Sequence, residues 1–194
     1  GVEVKFSVND RFDFRKFSDE ASSVYRWFPV LPTITGNKIT VEPVEYETKN
    51  IVPGVHSRKS NHGYTSSIAV MGNIAYPIEV PNAETNLEGL TGLLSCGLIM
   101  EFGIGELDFQ ASREGLSYIP LTIDSIRKKL FEVNSALTKV LAAEADVITS
   151  EWKRSEFLYK RKRSSLWKSA VEEYVTTTNF PLFESSMYSG EYNI

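Results

Sequence analysis

The stretch Ser67-Ile68-Ala69-Val70-Met71-Gly72-Asn73-Ile74-Ala75-Tyr76-Pro77-Ile78 holds two short apolar runs that meet at Gly72-Asn73. Apolar runs separated by two turn-forming residues are typical of a tight β-hairpin. Further along the chain, residues 98–102 and 107–109 are also mainly apolar and flank Gly103-Ile104-Gly105. We therefore expect all of these segments to be β-strands.

Helical patterns follow the predicted strands. After Pro120, apolar residues recur at alternating spacings of three and four, which places them on one face of an α-helix. These residues are Ile123, Ile126, Leu130, Val133, Leu137 and Val140. A second helix is predicted over residues 150–174, where Trp152, Tyr159 and Leu166 recur every seven residues. A short helix over residues 84–94 is expected to pack Leu87, Leu90 and Leu94.

The N-terminal part of the chain begins with an alternation of apolar and polar residues over positions 2–8, which predicts a strand. A helix is predicted from Asp13 to a point before Pro29, with an apolar stripe formed by Phe14, Phe17, Ala21, Val24 and Phe28. Residues 41–46 are expected to form a strand. Residues 48–63 are polar, contain both histidines and are expected to be a mobile loop.

Strands interleaved with helices predict an α+β fold, a two-layer mixed sheet with helices on one face followed by a C-terminal helical extension. We expect residues 1–148 to form the α+β domain and residues 149–194 the helical extension and tail. The chain starts at Gly1 without a presequence, and we expect it to be a fragment of a longer protein. Residues 1–10 would then be the last strand of an upstream domain.

Composition limits the function classes. The 194 residues include 21 Lys and Arg against 25 Asp and Glu, a net charge of −4 that makes nucleic acid an unlikely main partner. Cys96 is the one cysteine, so no intramolecular disulfide can form, and a reducing compartment is expected. The uncharged run over residues 89–100 is far shorter than the roughly 20 residues of a membrane-spanning helix.

No catalytic residue and no metal ligand is predicted for this fragment. His56 and His62 have no Cys, Asp or Glu between them at metal-ligand spacing, and they are interpreted as surface histidines of a loop. Gly103-Ile104-Gly105 lacks the third glycine of a phosphate loop and leads into a strand. It is expected to be a kink between strands.

Arg113 is the first candidate functional residue, with Ser112 and Glu114 as its supports. Ser112 has the side chain of a helix N-cap, and Arg113 and Glu114 are expected at a junction between the sheet and a helical turn. An arginine suits a terminal phosphate because its guanidinium stays charged and offers a planar fork of donors. The structural alternative is an ion pair between Arg113 and Glu114 that clamps the turn.

A basic cluster on the second predicted helix is the other candidate. Its centre is Arg161, Lys162 and Arg163. Side chains at consecutive positions point around the whole helix circumference, so a solvated face is the ordinary explanation. The functional alternative is contact with an acidic partner, a lipid surface or nucleic acid.

Residues 105–118, together with the helix that follows them, resemble a known family. The run Leu107-Asp108-Phe109-Gln110-Ala111-Ser112-Arg113-Glu114-Gly115-Leu116 before a basic helix is similar to the middle domain of the GHKL heat-shock chaperone. The ordered set of motifs over about residues 1–135 resembles more closely the rIIA rapid-lysis family of T-even-like bacteriophages. This set begins at Gly1-Val2-Glu3-Val4, recurs at residues 72–78 and is densest from Gly105 to Tyr118.

The resemblance implies a transducer-like domain of the left-handed β-α-β kind that follows a GHKL-type ATP-binding domain. It also implies a role in lysis inhibition or superinfection exclusion, an rIIB-like partner, and the host cytoplasm or the periphery of the inner membrane as the location. Arg113 would contact the γ-phosphate of ATP held with Mg²⁺ by the upstream domain. Homo-oligomer formation stays open.

This chain lacks the family's magnesium-holding Asn helix and its Asp-x-Gly-x-Gly adenine segment. The resemblance therefore implies a fragment with no cofactor of its own and no ATPase activity of its own. The residues also leave a competing interpretation open, an interaction module that binds a protein, an anionic membrane surface or nucleic acid through the basic helix 152–168.

Overall fold

The computed structural model describes residues 10–33, 40–59, 65–79 and 89–183, together with Glu3, Ser7 and Leu87. Most of the predicted strand over residues 2–8 lies outside the described residues, and His62 lies outside them too. The elements, in chain order, are α1 (Arg11–Tyr25), β1 (Tyr46–Val52), β2 (Val55–Arg58), β3 (Ile68–Met71), β4 (Ile74–Pro77), a 3₁₀ helix (Leu90–Ser95), β5 (Leu98–Phe102), β6 (Asp108–Phe109), β7 (Leu116–Ser117), α2 (Pro120–Asp146), α3 (Glu151–Lys162) and α4 (Ser165–Thr178).

A five-stranded mixed sheet forms the centre of the fold, with strand order β1-β2-β5-β3-β4. The strands β3 and β5 are parallel, and the other neighbours are antiparallel. The predicted hairpin is confirmed, because Met71 pairs with Ile74 across a turn in which Gly72 has a positive φ of 62°. The strands β6 and β7 form a separate two-stranded sheet. The predicted α+β class with C-terminal helices is confirmed.

Residues 46–58 form a second hairpin, so the predicted strand at 41–46 and the predicted loop over 48–63 are both wrong in this region. Val52 pairs with Val55 across Pro53-Gly54, and Gly54 has a φ of 71°. Proline followed by a glycine at positive φ is the pattern of a type II turn. The chain therefore reverses here, and the second strand carries His56 into the sheet, where its side chain is buried.

The hydrophobic core lies between one face of the sheet and the C-terminal helices. The sheet contributes Val55, Ala69, Leu98 and Met100, all of which are fully buried. The predicted long helix is confirmed as α2, which extends to Asp146 and contacts β1, the 3₁₀ helix, α3 and α4. The buried face of α2 contains Ile126, Leu130, Val133, Leu137, Leu141 and Ala145. Each large aliphatic side chain that is fully buried contributes about 1.5–3 kcal/mol of transfer free energy.

The second predicted helix is two helices. The helix is interrupted at Arg163 and Ser164. Ser164 has extended backbone angles and immediately precedes α4. The buried residues of the pair are Ser155, Leu158, Ala170, Val171 and Tyr174, so Trp152, 45% exposed, does not belong to the buried row. The break lets α3 and α4 pack on each other and on α2, which one continuous helix could not do.

The N-terminal helix α1 begins earlier and ends earlier than predicted. Asp10 caps it by accepting the backbone N–H of Phe12 at 2.9 Å, and the helix ends at Tyr25, before Phe28. Of the predicted apolar stripe, Ala21 is buried, whereas Phe14 and Val24 are more than 40% exposed. The predicted short helix near residue 90 is a 3₁₀ helix, and Leu87, Leu90 and Leu94 are buried as expected.

Within the part of the chain that the structure describes, no helix is long and apolar enough to cross a membrane. The boundary between residues 148 and 149 stays a prediction. Residues from both sides of it, such as Leu141 and Leu158, belong to one buried cluster.

Candidate functional site

Arg113 lies at the tip of the hairpin formed by β6 and β7. The strands pair Asp108 with Ser117 and Phe109 with Leu116. Residues 110–115 connect them, and the connection is closed by the backbone N–H of Gln110 bonding the carbonyl oxygen of Gly115 at 3.0 Å. The tip therefore projects from the small sheet rather than from the five-stranded sheet.

The predicted helical turn at this position does not form. Helix α2 begins at Pro120, and Ser112 is not a helix N-cap. Its Oγ accepts the backbone N–H of Glu114 at 3.4 Å, a local serine turn. Arg113 donates its backbone N–H to the carbonyl oxygen of Gln110 at 2.8 Å and has a φ of 61°. The backbone reverses within the hairpin, so the expected junction between sheet and helix is wrong.

The side chain of Arg113 is exposed. Among the described residues it has no ion-pair or hydrogen-bond partner, and the expected ion pair with Glu114 is not formed. A left-handed φ is unusual for an arginine, since Gly, Asn and Asp tolerate it best. Arg113 therefore has an unfavourable backbone conformation, and its side chain makes no ion pair or hydrogen bond with the described residues that would compensate for it.

The base of the hairpin is fixed to the rest of the fold. The backbone N–H of Asp108 donates to Thr122 Oγ1 in the first turn of α2 at 2.9 Å. Leu107 and Leu116 are buried in the main core. Tyr118 bonds the backbone of Glu79, accepting its N–H at 2.8 Å and donating to its carbonyl oxygen at 3.3 Å. An exposed tip is therefore connected to the start of a 27-residue helix about 40 Å long.

The basic cluster is mostly engaged within the helical layer. Arg161 bonds Glu144 of α2 at 2.7 Å and lies over the ring of Trp167, 4.6 Å from its centroid. Lys162 is 3.8 Å from the carboxylate of Glu172 on α4. These contacts join α3 to its two neighbouring helices. Of the three candidate cations in this cluster, only Arg163, an exposed residue at the end of α3, has no described partner.

A cleft that the sequence analysis did not find lies on the sheet face opposite the core. Its volume is about 480 Å³, and it is lined by the end of α1 and by residues of β1, β3 and β5. Trp27, Phe28 and Tyr46 supply aromatic walls, and Val70 and Ile99 supply an apolar floor. The lining residues come from four separate stretches of the chain, within 26–29, 46, 70–73 and 99–104, and no local sequence pattern brings these together.

A histidine–carboxylate pair lies at this cleft. The backbone N–H of Asn50 donates to His56 Nδ1 at 3.0 Å, which leaves the proton of the neutral ring on Nε2. That nitrogen donates to Glu101 Oε1 at 3.3 Å. The ring of Tyr46 packs edge-on against His56, with centroids 4.9 Å apart. Burial first, and the negative charge of Glu101 second, raise the pKa of the Tyr46 hydroxyl above its ordinary value.

Two arginines add positive charge at the same face. Arg26, which follows the last residue of α1, lines the cleft. Arg58 lies two residues after His56 on β2, so the side chains of His56 and Arg58 are on the same face of that strand. Burial first, and the charge of Arg26 second, lower the pKa of Arg58. Within the described ranges, no group of three or more metal-ligating side chains is found.

Comparisons with protein-family models, with curated proteins and with solved structures find no match to this chain. The resemblance drawn from the sequence therefore stays a prediction.

Proposed function

We propose that this chain is a non-catalytic relay domain in which Arg113 senses a phosphate group that another domain supplies. The observation that carries the proposal is that Arg113 has a φ of 61° and an exposed side chain with no partner among the described residues. Glycine or asparagine would suit this backbone better. Residues that break a local rule without an internal gain are expected at functional positions.

The relay follows from how the hairpin is anchored. A phosphate bound at the tip would gain charge-assisted hydrogen bonds of roughly 1.5–3 kcal/mol from the guanidinium. The hydrogen bond between the Asp108 backbone and Thr122 ties the hairpin base to α2. A displacement of the tip would therefore act on α2 and, through its contacts, on α3 and α4. The ligand would bias an equilibrium between two domain arrangements.

The sequence resemblance suggests the context of this relay. In that context the phosphate is the γ-phosphate of ATP with Mg²⁺ in an upstream GHKL-type domain, and the parent is an rIIA-like protein of lysis inhibition or superinfection exclusion. An rIIB-like partner and a location in the host cytoplasm, with peripheral contact to the inner membrane, belong to the same proposal. The competing module at residues 152–168 gains less support, because Arg161 and Lys162 have intramolecular partners.

The test compares Arg113→Ala and Arg113→Lys in the full-length protein with Arg15→Ala, a change at an exposed arginine of α1. Small-angle scattering measures ATP-dependent compaction. We expect Arg113→Ala to raise the ATP concentration that gives half-maximal compaction about 10- to 100-fold. Arg113→Lys should restore part of the response because the charge remains. If all three variants respond to ATP as the wild type does, the sensor role is wrong.

A further inference from the structure

The cleft between the end of α1 and the outer face of the sheet has the dimensions and chemistry of a small-molecule site. Its volume of about 480 Å³ falls within the range of roughly 300–1,000 Å³ that ligand pockets occupy. Aromatic side chains of Trp27, Phe28 and Tyr46 line it above an apolar floor. Such walls favour an apolar or aromatic body over a hydrated inorganic ion.

Arg26 lines the cleft and has no ion-pair partner within the described part of the chain. Arg26 uses Nε to bond the carbonyl oxygen of Ser22 at 3.4 Å, which leaves its Nη donors for other partners. Neither Arg26 nor Arg58 has a carboxylate partner there. Arg58 is not among the residues that line the cleft; it is half-buried like Arg26, and burial first and the charge of Arg26 second lower its pKa. An anion that pairs with the Nη donors of Arg26 would gain charge-assisted hydrogen bonds.

The cleft also contains a negative charge, the carboxylate of Glu101. Glu101 accepts a hydrogen bond from His56, whose tautomer is fixed by the Asn50 backbone. Glu101 and Arg26 line the same cleft, yet no ion pair joins them. Because His56 Nδ1 accepts a hydrogen bond, its ring carries no charge, and the bond from Nε2 orients the Glu101 carboxylate without neutralising it. The cleft therefore holds one guanidinium and one carboxylate that are not paired with each other.

We propose that this cleft binds a small ligand in which one anionic group, a carboxylate or a phosphate ester, is attached to an aromatic body. The anionic group lies against Arg26, and the aromatic body lies against the aromatic walls that Trp27 and Tyr46 supply. The site is independent of Arg113.

The probes are phenyl phosphate and phenylacetate, which carry the two candidate anionic groups on one aromatic body. Benzyl alcohol is the neutral analogue, and inorganic phosphate is the anion without an aromatic ring. Titration calorimetry gives each affinity, and NMR follows the indole N–H of Trp27, assigned by its loss in Trp27→Phe. We expect at least one aromatic anion to bind at least tenfold more tightly than both controls and to shift the Trp27 signal. The tighter of the two anions identifies the anionic group.

One variant locates the anionic group, and another serves as the matched control. Arg26→Ala should weaken binding at least tenfold, while Arg15→Ala, a change at an exposed arginine of α1, should leave it unchanged. Circular dichroism verifies that each variant is folded. The proposal is overturned if neither aromatic anion binds, if benzyl alcohol or inorganic phosphate binds as tightly, or if the Trp27 signal does not move. The wild-type comparison decides even where a variant fails to fold.

Discussion

Replacing Arg113 by glycine is expected to stabilise the fold although it removes the residue on which the proposed function depends. Arg113 has a φ of 61°, and a left-handed conformation costs a residue with a Cβ about 1–2 kcal/mol. Glycine avoids this cost but adds about 0.5–1 kcal/mol of unfolded-chain entropy. The net expectation is a gain of about 0.5–1 kcal/mol, or a rise in Tm of about 1–4 °C for a chain of this size.

Urea and thermal unfolding of Arg113→Gly, Arg113→Ala and the wild type measure this effect. Arg113→Ala should change the free energy of unfolding by less than about 0.5 kcal/mol, because it keeps the same φ and removes no described side-chain contact. Asn179→Gly is the control, since Asn179 also has a positive φ, of 50°, but asparagine already tolerates it. A loss of more than about 1 kcal/mol in Arg113→Ala would refute the reasoning, because it would mean that the guanidinium supports the fold.

Three further predictions concern Ser67, which is buried, and Cys96, which is half-buried, both near the 3₁₀ helix. Ser67 is fully buried, and its Oγ accepts the N–H of Leu98 at 3.0 Å and donates to the carbonyl oxygen of Leu93. Ser67→Ala should therefore lower the free energy of unfolding by about 1–3 kcal/mol in urea titrations, and a change below about 0.5 kcal/mol would contradict this. Burial raises the pKa of the Cys96 thiol from 9.0 to about 11. At pH 8 its alkylation by iodoacetamide should be about 100-fold slower in the folded than in the unfolded chain, and equal rates would contradict the raised pKa. The stabilisation that the uncharged Cys96 thiol contributes should be fully present below pH 9.0 and should be lost as the pH rises through about 11. The free energies of unfolding of the wild type and of Cys96→Ala, compared as a function of pH, measure this loss.

The parts of the fold that sequence predicts well are those with a local cause. The helix α2 follows from its apolar spacing, and the turn at Gly72 follows from two apolar runs around a glycine. The hairpin at Pro53-Gly54 also has a local signal, a proline and a glycine between Val52 and Val55. The polar residues on either side of it favour a loop instead, because β1 is an edge strand whose side chains are mostly exposed.

The candidate sites depend on pairings between distant residues, which local patterns do not contain. Ser112 is equally suited to a helix N-cap and to a serine turn, and the pairing of Phe109 with Leu116 decides between them. The cleft brings Arg26 and Glu101 together from positions 75 residues apart. Neither residue stands in a motif, so only the folded sheet reveals their common location.

The most direct test of the phosphate-sensing account is a structure of the full-length protein with a non-hydrolysable ATP analogue. The account predicts an Arg113 Nη atom within about 3 Å of a γ-phosphate oxygen, and loss of that contact in the ADP complex. Arg113 left in solvent at the hairpin tip in both complexes would contradict it.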